Sequence, residues 1–283
     1  MAYVFLRSPL APAFVFGNWW LNIAGLVGAC LILSYAVLYV RHVLPFRIAH
    51  KTFAGGDYDG ALRRLRLLEH MGMRSPSLVY FKGTILMFAG RYREAEQALR
   101  ECIQAVQSSG PRHLGLVNLG YVLLELGRYD EAARSLDEVI KLQPHRAVPY
   151  STRAEIYLRQ GIEPERALAL LDKGIQNKTG SEQQRRVDRH VLGYLFANRA
   201  WALFLLGRRE EAEQALKSAE EGLQAALSDG VKPGAAGVHY HMARALFAGG
   251  ETGRAREHFV AAAKTDPNGK YAKLADEALR GRE

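Results

Sequence analysis

Residues that could do chemistry are few in this sequence, and their spacing forms no familiar catalytic or metal-binding motif. His239 and His241 are two residues apart, so on a helix their side chains point about 200° from one another and cannot share a metal. Cys30 and Cys102 are too few for a disulfide framework or a thiolate metal site. Neither a glycine-rich phosphate loop nor a GxSxG motif is present. We therefore expect no catalytic residue, no metal and no cofactor, with Cys102 and the histidines in packing or surface positions.

The composition indicates a folded protein whose charge is unevenly distributed. The chain has 283 residues, of which 48% are hydrophobic and 24% charged, so a sizeable core can form in one or two domains. Its formal net charge is +9, yet residues 1–40 contain only one basic residue, Arg7, and no acid. The other basic residues are scattered over many helices, which favours solvated helix faces over a nucleic-acid site. We expect no nucleic acid as a partner, whereas anionic lipid headgroups could attract the basic body.

Residues 19–40, WWLNIAGLVGACLILSYAVLYV, contain no charged side chain. As a helix they would extend about 33 Å, enough to cross the hydrocarbon core of a bilayer. Trp19 and Trp20 at one edge and Tyr39 with Arg41 at the other are placed as interfacial anchors. We predict a short tail over 1–18 and a transmembrane helix over 19–40. A cleaved signal peptide is disfavoured because the apolar run is too long, and lipidation at Cys30 because ten apolar residues would remain after it.

The charges beside this segment predict its orientation. Arg41, Arg47 and Lys51 follow it, whereas only Arg7 precedes it. Since the basic side tends to remain in the cytoplasm, we expect a single-pass protein of the cell (inner) membrane with its large C-terminal part on the cytoplasmic side. A periplasmic or lumenal C-terminal part is the alternative.

A short motif recurs through the rest of the chain. It reads GDYDGA, GRYREA and GRYDEA in its first three copies, with looser copies afterwards. The copies begin at Gly56, Gly90, Gly127, Gly161, Gly207 and Gly250. These glycines are 34, 37, 34, 46 and 43 residues apart, and such self-similarity at a nearly fixed interval indicates a repeat architecture.

The third copy is the clearest and has the layout of two antiparallel helices. Its pattern is carried by Leu116, Leu119, Gly120, Leu123, Gly127, Ala132, Leu136 and Pro144. The first four fall within about 100° of one helix face, and the second glycine suits the left-handed position that ends a helix. The small Gly120 and Ala132 would let the two helices approach closely, and the proline ends the second helix. This pattern resembles the tetratricopeptide repeat, and the resemblance covers roughly residues 43–268.

The resemblance implies an all-α fold. We predict an N-terminal transmembrane helix followed over 41–268 by an α-solenoid of about six helix-turn-helix repeats. The longer spacing of the later copies predicts extended helices there. A C-terminal capping helix over 269–283 should seal the apolar end of the stack.

In this family the first helix of each repeat lines a concave surface, which usually binds an extended peptide or a helix. The predicted groove residues are Tyr80, Thr84, Met87, Val117, Tyr121, Leu124, Glu155, Leu158, Trp201, Phe204, Tyr240, Arg244 and Phe247. Aromatic and methionine side chains there would anchor an apolar or amphipathic protein segment, although a superhelix buries part of this face as core. The resemblance implies a scaffold or adaptor that binds protein. Together with the predicted transmembrane helix over 19–40, it leads us to expect a membrane-anchored scaffold in assembly, quality control or recruitment of membrane complexes. The alternative is a structural scaffold that forms homo-oligomers or lies on lipid, without a specific groove ligand.

Overall fold

The computed structural model describes residues 19–106, 109–176 and 182–281, so the predicted tail over 1–18 lies outside it. This described part of the chain is all-α and contains fourteen α-helices. In chain order they are α1 (Trp19–Leu38), α2 (Leu44–Ala54), α3 (Tyr58–His70), α4 (Pro76–Phe88), α5 (Tyr92–Ala105), α6 (Ser109–Glu125), α7 (Tyr129–Leu142), α8 (Val148–Gln160), α9 (Pro164–Gln176), α10 (Glu182–Leu205), α11 (Arg209–Ser228), α12 (Lys232–Ala248), α13 (Thr252–Thr265) and α14 (Lys270–Leu279). They belong to two compact units, Met1–Arg47 and Ile48–Glu283.

The first unit contains α1, whose described side chains are mostly apolar and exposed. Leu26 and Ile32, for example, expose 67% and 72% of their surface. In the part of the chain that the structure describes, no helix combines the length and the apolar character needed to span a bilayer. The side chains of Trp19, Trp20 and Arg41, which we expect to be interfacial anchors, fall outside the part that the structure describes.

The second unit contains the predicted repeats as consecutive helix pairs, from the part of α2 after Arg47 with α3 to α12 with α13. The turn within each pair carries one of the six predicted glycines, and all six have a positive φ between 65° and 83°. Only glycine adopts this left-handed conformation without strain, which explains why the motif begins with it. The later helices are longer, with 24 residues in α10 and 20 in α11. The predicted all-α solenoid is therefore confirmed.

Within a repeat, the two helices approach closely where the first one carries a glycine. A Cβ atom added to Gly120 on α6 would lie 2.7 Å from Leu136 Cγ on α7, closer than packed carbon atoms can be. Likewise, a Cβ atom added to Gly83 on α4 would lie 2.8 Å from Leu99 Cγ on α5. The small residue of the motif is thus required by the packing of a fully buried leucine against the helix backbone.

We expect Gly120→Ala to lower the free energy of unfolding by about 1–3 kcal/mol, because the added methyl group overpacks the contact with Leu136. Urea denaturation monitored by circular dichroism measures this change. The matched control is Gly253→Ala on α13, where an added Cβ has no neighbour within 4 Å. That change should leave stability unaltered or raise it by up to about 1 kcal/mol. Equal effects at both positions would contradict close packing at Gly120.

The C-terminal end of the second unit folds back onto its first repeats. The Tyr58 hydroxyl at the start of α3 donates a hydrogen bond to the buried Asp266 carboxylate, which follows α13. Lys273 Nζ on α14 lies 3.3 Å from the backbone oxygen of Ala89, which follows α4. Helix α14 packs against α12 and α13, where a capping helix is expected. Its return to the start of the solenoid is a feature that the repeat pattern does not predict.

Candidate functional site

A cavity of about 380 Å³, which we call the groove, lies among the first helices of the repeats. Its walls come from α4, α6, α8, α10 and α12, and α14 contributes Lys270 and Tyr271. Six of the predicted groove residues line it together: Tyr80, Thr84, Met87, Val117, Tyr121 and Glu155. The lining is mostly apolar and aromatic, as is common for pockets that bind a ligand or a protein side chain.

Met87 stands three residues before the turn glycine of its repeat, and four other predicted residues hold the same position in later repeats. Because equivalent residues of successive repeats are neighbours, these five form a row along the solenoid. Leu124, Leu158 and Phe204 in this row are buried in the core. Phe247 occupies the same row in the last repeat and exposes 62% of its surface. Successive first helices contact one another, so this row is covered wherever another first helix follows, and α12 has no following first helix.

The remaining predicted residues lie beside the groove without lining it. Arg244 is stacked over the ring of Trp201, with its guanidinium carbon 4.7 Å from the ring centroid. Tyr240 is buried behind the groove wall, with its ring centroid 5.5 Å from that of Tyr271. The structure therefore brings together six predicted residues of repeats two to four. Leu124, Leu158 and most predicted residues of the later repeats pack outside the groove, and Phe247 is exposed.

Polar side chains on the groove wall are joined by hydrogen bonds between neighbouring repeats. Asn118 Nδ2 donates to Thr84 Oγ1 at 2.9 Å. Asn198 Nδ2 lies 3.3 Å from Ser151 Oγ, and its Oδ1 accepts from His241 Nδ1 at 2.9 Å. Burial lowers the pKa of His241 to about 4, so its imidazole is neutral at physiological pH.

The histidines do not form a metal site within the described residues, where no cluster of three or more His, Cys, Asp or Glu side chains could hold an ion. His239 instead lies against His258 on α13, with 3.0 Å between their Nδ1 atoms. His241, which we expected only to pack, lines the groove. Cys102 is fully buried, so of the two kinds of position expected for it, packing or surface, it has the packing one.

A buried group of charges lies beside the groove and reaches it through Glu155. Arg159 on α8 pairs with Glu125 on α6 at 2.8 Å and with Glu155 on its own helix at 2.7 Å. The carboxylate side chains of Glu125 and Glu155 expose only 3% and 4% of their surface. Burial alone would raise the pKa of Glu125, but the nearby charges of Arg159 and Lys270 outweigh it and hold that pKa below its usual value. Both carboxylates thus form their ion pairs with the same guanidinium.

Lys270, the first residue of α14, places its ammonium group among aromatic rings. Its Nζ lies 3.3 Å from the ring centroid of Tyr121, 4.5 Å from that of Tyr271 and 5.1 Å from that of Phe88. The residue exposes 2% of its surface. Burial lowers the pKa of Lys270 to about 7, although the charges of Glu125 and Glu155 oppose this shift.

The sequence contained a signal for part of this arrangement. Glu125 and Arg159 are 34 residues apart and both stand two residues before a turn glycine, so the repeat places them next to each other. Lys270 and Tyr271 carry no such signal, because they belong to a helix outside the repeats.

Comparison with known proteins supports this architecture. Three sequence profiles, each described as tetratricopeptide repeat, match residues 76–145, 117–182, and 194–217 with 236–260, together more than half of the chain. No curated protein sequence matches the chain significantly. The crystal structure of the APC/C hetero-tetramer Cut9–Hcn1 is similar, with a TM-score of 0.60 and 19% identity over 89% of this chain and 46% of that one. TTC0263, a thermophilic TPR protein of Thermus thermophilus, is similar with a TM-score of 0.50 and 20% identity over 72% and 99% of the two chains. At these identities the likeness concerns the fold alone.

Proposed function

Because this chain belongs to the tetratricopeptide repeat family, we propose that it is a scaffold whose groove captures a segment of a partner protein. Repeats of this family generally serve as protein–protein interaction scaffolds, and the fold is typically non-catalytic. The observation that carries the proposal is the groove itself, whose walls come from the first helices of five consecutive repeats. Tyr80, Met87 and Val117 there offer apolar contacts to an amphipathic segment.

We further propose that residues 19–40 anchor the scaffold in a membrane. Two observations support this: the segment contains no charge over 22 residues, and its apolar side chains between residues 23 and 37 are largely exposed. Exposed apolar side chains such as Leu26 and Ile32 are unfavourable in water and favourable in lipid. An anchor would confine the groove to two dimensions and raise its effective concentration for membrane-bound partners.

From this we propose a role in the assembly, quality control or recruitment of membrane complexes, with the solenoid on the cytoplasmic side of the cell membrane. The basic residues after the segment support this orientation. The second candidate function is a structural scaffold held on anionic lipid by the net charge of +9. Such lipid attraction would weaken as ionic strength rises, whereas an apolar groove contact would not.

Site-specific photo-crosslinking in intact cells tests the proposed function. The probe is placed at Val148, which lines the groove and exposes 36% of its surface, and the control probe at the exposed Arg134 on α7. We expect a discrete heterologous product from Val148 that is absent from Arg134. Extraction of the membranes with alkaline carbonate before analysis should leave this product in the membrane pellet.

Each other outcome would reject a defined part of the proposal. Equal products from both positions, self-crosslinks or no product from Val148 would reject the groove as the binding surface. Release of the chain by alkaline carbonate would reject the anchor, because a spanning helix withstands this treatment.

A further inference from the structure

The groove already contains a segment of its own chain. Lys270 and Tyr271, which we call the plug, are the first two residues of α14 and both line the cavity. The ring of Tyr271 lies 5.9 Å from that of His241 on α12. The Lys270 side chain crosses to Tyr121 on α6 and Phe88 on α4, so the plug spans the groove from the last repeat to the second.

The plug fits the groove imperfectly because it buries an ammonium group without an ion pair to the carboxylates described nearby. Within 4 Å, Glu125 and Glu155 pair with Arg159 and not with Lys270. The ring faces around Lys270 Nζ attract a cation, but a buried charge without a carboxylate partner loses more hydration than such contacts return. Lys270 therefore destabilises the arrangement in which the plug lies in the groove, which we call the closed state. The cavity beside the plug leaves room for a longer segment.

We propose that the plug is a releasable occupant of the groove, and that a partner segment displaces it by placing a long uncharged side chain where Lys270 lies and an aromatic ring where Tyr271 lies. This inference rests on the proposed function and specifies the partner: an amphipathic helix that starts with this apolar–aromatic pair. Such a segment would make the contacts of the plug with Tyr121 and Phe88 and would avoid burying an ammonium group. An acidic segment would be repelled by Glu155, which lines the groove.

Two labelled peptides test this inference against the purified full-length chain. One has the sequence of residues 269–281, and the other carries the Lys270→Met change in that sequence. At pH 7 we expect the second peptide to bind the wild-type chain at least about 10-fold more tightly in fluorescence polarisation, because it leaves no ammonium to desolvate. In the Lys270→Met chain the plug itself binds the groove more tightly and competes better with the peptide. This peptide should therefore bind the variant chain at least about 10-fold more weakly than it binds wild type. The matched control, Lys264→Met at an exposed position of α13, should bind like wild type.

A disulfide lock shows whether the peptides use the groove. A Cβ atom added to Gly90 would lie 3.7 Å from Lys270 Cβ, within the range of a disulfide. The pair Gly90→Cys and Lys270→Cys, in a Cys30→Ser background, can therefore fix the plug when oxidised and free it when reduced. Cysteine is strained at Gly90, whose φ is 73°, but this strain is present in both redox states of the same chain and does not affect their comparison. We expect oxidation to lower peptide affinity at least about 10-fold in one and the same chain, so that a folding defect cannot mimic the result.

Three results would overturn the inference: equal affinities of the two peptides, no binding of the methionine peptide to wild type, or affinity unaffected by the lock. These results are distinguishable from failure of the proposed function. If Val148 crosslinks a protein equally well in isolated cell membranes whose lock has been oxidised or reduced, the groove binds a partner and the plug does not regulate it. If the peptides bind as expected and the probe at Val148 gives no crosslinked protein, the inference that the plug is releasable is supported and the proposed protein-binding function is rejected.

Discussion

Replacing Arg159 with methionine should lower the free energy of unfolding by about 3–5 kcal/mol, the largest loss that we expect from a single charged residue of this chain. Arg159 is the ion-pair partner of both Glu125 and Glu155, whose side chains are almost fully buried. Without it, two carboxylates remain close together in a site of low dielectric, and each disfavours the ionised form of the other. Urea denaturation of the full chain at pH 7 measures the loss.

The control is Arg128→Met, which removes an arginine that also bridges two glutamates. Arg128 pairs with Glu96 at 2.9 Å and Glu131 at 2.6 Å, but its side chain is 39% exposed. Because water screens these pairs, the loss should be much smaller than that at Arg159. Adding Glu125→Gln to Arg159→Met should recover part of the larger loss, since it removes one of the stranded carboxylates. A loss at Arg159 no greater than that at Arg128 would contradict a buried charge network.

The repeat pattern predicts those features of the fold that every repeat must satisfy by itself. Each turn needs a residue with positive φ, so Gly127 and its counterparts mark the turns in the sequence. Each pair of helices needs a small residue at its closest approach, so Gly120 is placed where Leu136 requires it. The fixed interval also places Glu125 beside Arg159, because equivalent residues of successive repeats are neighbours. These requirements are local, and a single sequence expresses them through residue type and spacing.

Features that depend on where a residue lies in the whole array, at its end or where its two ends meet, could not be predicted from the local pattern of one repeat. Leu124 and Phe247 hold equivalent positions in the sequence, yet Leu124 is buried and Phe247 is exposed, because only the former has another first helix beyond it. The plug is a second example. Tyr58 and Asp266 come into contact across 208 residues, and only the summed rotation of all the repeats decides whether the two ends meet. The sequence pattern around Lys270 does not indicate that the last helix contacts the first repeats.

The closed groove makes stability depend on pH in a way that Lys270→Met should abolish. The pKa of Lys270 falls from 10.5 in the unfolded chain to about 7 in the folded one, mainly because the group is buried. Its contribution to stability is therefore fully present above pH 10.5 and is lost as the pH falls towards 7. Between pH 7 and 9.5 the free energy of unfolding of the wild-type chain should rise by about 2–3 kcal/mol more than that of Lys270→Met.

The titratable groups around Lys270 do not add to this change in stability between pH 7 and 9.5. His241 titrates near pH 4, burial raises the pKa values of Tyr121 and Tyr271 well above 10, and that of Glu125 is lowered. None of the four therefore changes protonation in the folded chain between pH 7 and about 9.5. At pH 7 the Lys270→Met chain should be more stable than wild type by about 1–3 kcal/mol, since an apolar side chain replaces a buried cation. Urea denaturation of both chains at several pH values measures the difference. Parallel pH profiles would mean that Lys270 keeps its ordinary pKa and is hydrated, and the plug would then cost the closed groove nothing.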